Sequence, residues 1–519
     1  MKKTKFTRIL SLLLVIAFAL SMLISCGEKS AGSLKDTKDD GAKADATDSE
    51  QKAPEETKEE KILPDIPPDL RYEGYTFTFL SHEEPATGWD WATAKPREFI
   101  AEINEAGQEV QNSEPINDAV YMRNSVVKER FGIEFDMITN SGEVGLLKKS
   151  VQAGDDNYDA VLIFNNNVPG AVTSDLLLEV SNLTHLDLEK PWWDKGVNAM
   201  SVARKQFLLA GDLLILDNEA TNAIIFNKDL LQSLGMELPY NLAKDGKWTF
   251  DALFEMCKGA EKDINGDGKL DYRDDRFGFV TFNDTLQAML VAGGGALAVK
   301  DENDIPVISY NTEKNLAVLS KAMDIMYKDT NPGVLNVQKD AGGSADTWRV
   351  LYYDGFMEDR ALFMWIRMRV VEVYRGMESN FGILPMPKYE ESQPNYCSLV
   401  NPYTGVLMGV PKSAQNPERT SAILEALSAE SKYTLQPAYY EIVLQRKFAR
   451  DDESSEMLDI IFSTQVYDIG GVYSFGGVFS DFNSLASGEK RDVISLYDKK
   501  IGNMEKAINK VIDQFENMQ

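Results

Sequence analysis

Apolar strands alternating with amphipathic helices constrain this chain most. Tyr75-Thr76-Phe77-Thr78-Phe79-Leu80 alternates and is rich in aromatic residues, as a strand packed on one face requires. Residues 116–131 carry apolar side chains at helical spacing, with Val120, Met122, Val126, Val127 and Phe131 as the expected buried stripe. Gly132 ends that helix, and residues 132–137 read as the next strand. A helix near residues 145–153 then leads to a short buried strand at 158–163. Strand, helix, strand, helix, strand is the order of an α/β domain with a largely parallel sheet. A loop at 164–169 is expected at the C-terminal end of the third strand, where open α/β sheets bind ligands.

Residues 70–519 exceed one ordinary core, so two lobes or more are expected. Beyond residue 221, strands are expected at 223–226, 277–280, 361–365 and 381–384. Helices are expected from 227 to Gly235, after Trp248 with Thr249 or Asp251 as its cap, at about 313–328 and 345–357, and at 501–515. Ile501, Met504, Ile508, Ile512 and Phe515 share one side of the last. No internal repeat is present.

Lys2, Lys3, Lys5 and Arg8 precede an apolar run from Ile9 to Ile24, which closes on Leu23-Ile24-Ser25-Cys26-Gly27. The run is shorter than the roughly 20 residues of a spanning helix. It reads as a signal segment, residues 1–25, with a processing site at its end. The string around Cys26 resembles the bacterial lipobox, which implies a lipidated cysteine and a body lipid-anchored on the extracellular face of the cell membrane. Residues 26–69 are dense in Lys, Asp, Glu, Ala, Ser and Thr and read as a disordered, charged tether.

The net charge of −28 argues against nucleic acid as a partner and against the body lying on an anionic membrane. Cys257 and Cys397 read as two thiols in preference to a bridge, although spacing does not decide. With only His82 and His185 in the chain, histidine-based catalysis is poorly supported. No nucleophile elbow or phosphate-cradling loop occurs.

Three strings carry a resemblance: "YDAVLIFNNNVPGAVTSDLLLEVSNL", "ATNAIIFNKDLLQSLGMELP" followed by "WTFDAL", and "RALFMWIRMR" with "FGILPMPKYEES" and "YTGVLMGVPKSAQNPERTSAILEAL". In order and spacing they resemble the extracellular solute-binding proteins of ABC importers, the class that includes maltose-binding protein. The resemblance implies a two-lobed, periplasmic-binding-protein-like α/β fold with discontinuous lobes joined by a hinge. Mapped onto this chain, lobe one is 70–220 plus 395–450 and lobe two is 221–394 plus 451–519. It further implies a non-enzymatic, monomeric protein that closes on a small solute, an oligosaccharide by the same resemblance, and is read by permease subunits.

Asp263-Ile264-Asn265-Gly266-Asp267-Gly268-Lys269-Leu270-Asp271-Tyr272-Arg273-Asp274 places side-chain oxygens at positions one, three, five, nine and twelve and glycine at six. That is the spacing of a calcium loop, in which Lys269 contributes a backbone carbonyl. Position twelve is Asp274 rather than the usual glutamate, with Asp275 beside it. A structural calcium ion is expected.

Carbohydrate recognition combines aromatic faces with planar polar side chains. Trp365, followed by Arg367, stands where sugar-binding relatives carry a stacking aromatic. Asn165, Asn166 and Asn167 follow the third strand; Asn218, Glu219 and Asn222 lie at the expected lobe crossing. Phe282, Asn283 and Asp284 follow the 277–280 strand, and Asn401 and Tyr403 lie where the chain returns to lobe one. Trp89 and Trp91 are candidates for the cleft mouth, whereas Trp192, Trp193 and Trp248 are expected to pack. Competing readings are a sensor that presents ligand to a membrane receptor, a calcium-stabilised glycan hydrolase or lyase, and a structural lipoprotein.

Overall fold

A computed structural model describes residues 61–82, 97–340, 342, 354–445, 452–488 and 491–517. Cys26, the signal segment, most of the tether, Trp89, Trp91 and residues 345–353 of an expected helix lie outside them. The packed body begins earlier than the expected boundary at residue 70. Lys61 pairs with Glu430 at 2.7 Å, Ile62 donates its N–H to Tyr433, and Ile66 is buried under Arg130, which donates to its carbonyl. Isoleucines in an otherwise polar stretch supply the apolar surface that average composition conceals.

The chain opens with β1 (Tyr75–Ser81), helix α1 (Pro115–Phe131), β2 (Ile133–Thr139), α2 (Glu143–Ala153) and β3 (Ala160–Phe164). Pro115 starts α1, the Glu114 carboxylate accepts the Asn117 N–H, and Gly132 closes the helix at φ 72°. Its buried face is Ile116, Ala119, Val120, Arg123, Asn124, Val127 and Phe131. Met122 and Val126, expected in the stripe, are about half exposed. Arg123 and Asn124 take the inward positions instead because both donate to the Phe99 carbonyl. The segment after β3 is a 3-10 turn over Asn165–Asn167 running into a short helix, Val168–Thr173, rather than a loop.

A second set of strands follows: β4 (Asn222–Asn227), β5 (Phe277–Thr281), β6 (Val334–Asn336), β7 (Ala361–Arg367) and β8 (Phe381–Leu384). The chain then returns to the first sheet as β9 (Val406–Gly409). The first sheet has the order β9-β3-β1-β2, with β1 parallel to β2 and β3 and with β9 antiparallel to β3. The second has the order β8-β4-β7-β5-β6, with β5 parallel to both β6 and β7. Two α/β sheets, the first completed by a strand that returns after the whole of the second, give the discontinuous two-lobed architecture.

Trp248 is fully buried, its indole N–H bonded to the Pro385 carbonyl, and Thr249 caps the helix Phe250–Cys257. Trp192 and Trp193 are buried, with Trp193 bonded to Glu425 at 2.7 Å. Cys257 and Cys397 are free thiols. The last helix, α3 (Val493–Asn517), is longer than expected and buries Met504, Ile508, Val511 and Phe515. Ile501 and Ile512 lie at the margin of that face.

Candidate functional site

The two sheets are stitched together beside their strand ends. Thr221, just before β4, bridges to Val400, just before the return to the first sheet. Asn401 N–H donates to the Ala220 carbonyl (3.0 Å), and Met368 N–H to that of Thr221 (2.9 Å). Asn165 N–H donates to the Gly405 carbonyl (2.9 Å). A Cβ on Gly405 would lie 2.4 Å from Asn165 Nδ2 and 3.0 Å from the Asn401 carbonyl, so only glycine lets these chains approach. Asn401 Nδ2 donates to Asp284 Oδ2 at 2.8 Å, joining the segment before β9 to the segment after β5. This contact is a clasp between the two sheets' ends.

Asn222 opposes Arg367 in the β4/β7 register, and Ile224 opposes Trp365. Directly opposed residues share a sheet face, so Asn222, Trp365 and Arg367 lie on one face. Phe282 packs against Trp365 with ring centroids 5.4 Å apart. Burial raises the carboxyl pKa of Asp284, against the opposing pull of Arg367 and the Asn401 hydrogen bond. Asn165, Asn222, Phe282, Trp365, Arg367 and Asn401 thus gather around the junction of the two sheets, and all are buried.

Polar atoms in this group are left without partners. Both amide atoms of Asn165, both of Asn222, Trp365 Nε1 and Asn283 Oδ1 are buried and have no hydrogen-bond partner among the described residues. An unsatisfied buried polar group costs about 1–3 kcal/mol. Such a concentration is unusual in a folded protein.

Other expected site residues lie elsewhere or are already committed. Asn218 bonds to Gln436 and Gln465 and lines another cleft, of about 600 Å³, with Lys432, Tyr439, Tyr440 and Phe462. Glu219 is buried between Arg97 (3.1 Å) and Arg369 (3.7 Å). Asn166 is exposed, and Asn167 bonds to Glu143. Tyr403 is 60% exposed and stacks on Phe479. His82, which follows β1, went unselected although it occupies the same kind of strand end that drew attention to Asn165.

The acidic loop folds by its own Asx turns. Asp263 accepts the N–H groups of Gly266 and Gly268, Asn265 that of Asp267, Asp267 that of Lys269, and Asp271 that of Arg273. Gly268 sits at φ 82°, the left-handed geometry expected of position six. The inward carboxylate is Asp275, not Asp274, which is exposed. Burial pushes the Asp275 carboxyl up, but bonds from the Asp271 and Ile264 N–H groups outweigh it and hold it below its usual value. Among the described residues no three acidic, histidine or cysteine side chains are arranged to share one ion. Asn265 and Asp267 are exposed and Asp263 is half-buried.

No family model and no curated protein sequence matches the chain. Solved structures do. An ABC substrate-binding protein of Listeria monocytogenes, in complex with cycloalternan, matches 86% of this chain and 100% of its own, with 12% identity and a TM-score of 0.51. UspC of M. tuberculosis matches 85% of this chain and 100% of its own, with 13% identity and a TM-score of 0.51. A cyclo/maltodextrin-binding protein complexed with maltotetraose matches 86% and 100%, with 14% identity and a TM-score of 0.51. The chain therefore has the two-lobed α/β fold of maltose-binding-protein-type solute-binding proteins.

Proposed function

We propose that this chain is an extracellular solute-binding lipoprotein, not an enzyme, that captures an oligosaccharide between its lobes and delivers it to the permease of an ABC importer. The observation that carries this reading is the set of unpartnered amides and indole N–H around the hinge. Neutral donors and acceptors of that kind match sugar hydroxyls, and the Trp365–Phe282 pair adds aromatic surface beside them. Solved structures of the same fold hold cycloalternan and maltotetraose. Lobe one is assigned to 70–220 plus 395–450, extended back to Lys61, and lobe two to 221–394 plus 451–519. Cys26 is the proposed site of lipidation, and the protein works as a monomer. No helix among the described residues is long and apolar enough to cross a membrane.

Calcium is proposed as a structural ion at the 263–275 turn, held by Asp263, Asn265, Asp267, the Lys269 carbonyl and Asp271, with Asp275 bracing the backbone. The test is thermal unfolding of the purified full-length chain against an oligosaccharide panel, with calcium and with chelator. Ligand at a thousand times its Kd should stabilise the fold by about 4 kcal/mol. A rise with selected saccharides, without turnover, supports the reading. No rise with any saccharide contradicts it. A midpoint insensitive to chelator contradicts the calcium assignment alone.

A further inference from the structure

The first sheet places β1 at the centre of the run β2-β1-β3. The chain leaves β1 toward one side to make β2, then crosses back to make β3 on the other. Strand order therefore reverses between β1 and β3. Open α/β sheets bind ligands outside the carboxyl ends of their strands at such a reversal. Two rings stand at this reversal. His82 follows β1 and Phe164 ends β3, edge to face with centroids 4.4 Å apart.

His82 is held from behind. Glu143, in the first turn of α2, keeps only 1% of its side chain exposed and places Oε2 2.7 Å from His82 Nδ1. Asn167 Nδ2 donates to the other carboxylate oxygen at 2.8 Å, so the carboxylate cannot turn away. A carboxylate acceptor fixes the proton on Nδ1 and orients the ring. Nε2 then becomes the outward atom, and among the described residues nothing bonds to it. The imidazole keeps 17% of its surface exposed. Of the elements packed around it, α2 contributes the charge of Glu143. The end of β3 brings Phe164 and Asn167, and the end of β2 brings Asn140, all uncharged.

We propose that His82 is a specificity-determining ligand contact in the cleft, whose Nε2 forms a hydrogen bond with a ligand hydroxyl, with Glu143 as its positioning residue. This inference rests on the oligosaccharide-capture reading.

The test is isothermal titration of the full-length chain with the best-binding saccharide of the panel. His82→Ala should bind about five- to tenfold more weakly than the parent, the equivalent of one lost hydrogen bond. His82→Gln, which keeps a hydrogen-bonding side chain at that place, should lose less. Glu143→Gln, which frees the ring to turn, should also lower affinity. Because any variant can misfold, the parent is also followed by NMR at the imidazole nitrogens, with only two histidines to assign. The His82 Nε2 resonance should move on saturation. An unmoved resonance, or a His82→Ala affinity within twofold of the parent, overturns the assignment while leaving oligosaccharide capture standing. A parent that binds no saccharide overturns both.

Discussion

Replacing Asn401 with alanine should weaken ligand capture far more than it weakens the unliganded fold. Asn401 Nδ2 donates to Asp284 Oδ2 across 2.8 Å, between the loop before β9 and the loop after β5. Its Oδ1 accepts the Tyr403 N–H at 2.8 Å, within one loop. The first bond spans the two sheets and exists only while their ends meet. The second lies within one loop and does not depend on how the sheets meet. A hydrogen bond to a charged group contributes about 1.5–3 kcal/mol. Removed from the closed form alone, that amounts to about a 10- to 150-fold loss of affinity. The local bond should cost about 1 kcal/mol of overall stability. Calorimetric titration reads the first effect and urea unfolding without ligand reads the second. Asp284→Asn, which keeps an acceptor for Asn401 but removes the charge, should fall between parent and Asn401→Ala. An Asn401→Ala affinity within twofold of the parent would refute the reasoning, because the clasp would then not distinguish closed from open lobes.

Trp365→Phe keeps the apolar ring but deletes the unpartnered Nε1–H; affinity should fall about five- to tenfold with little change in the unfolding midpoint. Equal affinity would show that the indole N–H faces no ligand. Gly405→Ala should destabilise the fold by about 1–3 kcal/mol in urea, because its Cβ would meet Asn165 Nδ2 at 2.4 Å. Stability should also decline with rising pH. Burial raises Glu98 from 4.5 to about 8, Asp212 from 3.8 to about 7 and Glu425 from 4.5 to about 7. With folded values above unfolded ones, the folded chain binds more protons in between. Their contribution is full below about pH 4 and is lost as pH rises to about 7–8, at about 1.4 kcal/mol per pH unit for each group. A thermal midpoint that climbs from pH 5 to pH 8 would contradict this.

The parts of the fold that local physics dictates were legible in the sequence. Alternation marked β1, Gly132 marked the end of α1, and Thr249 was one of two caps readable for its helix. What depends on distant partners was not legible. Asn218 and Asn222 are four residues apart and equally polar. One is consumed by Gln436 and Gln465, while the other opposes Arg367 with its amide unbonded. Only the tertiary pairing separates them. Met122 and Val126 satisfied helical spacing, yet Arg123 and Asn124 hold the inward face because the Phe99 carbonyl lies there, more than twenty residues away. His82 was the opposite case. Its place after β1 was readable, but one isolated histidine carries no signal until Glu143 is seen behind it.

The central claim is that the bare polar groups around the hinge are completed by a sugar. The most direct measurement is a crystal structure of the protein with a saccharide bound. The account predicts sugar hydroxyls within hydrogen-bond distance of the Asn165 and Asn222 amides and of Trp365 Nε1, with the Asn401–Asp284 clasp intact. A saccharide seated in the cleft beside Lys432 and Tyr440, with those amides still unpartnered, would contradict it.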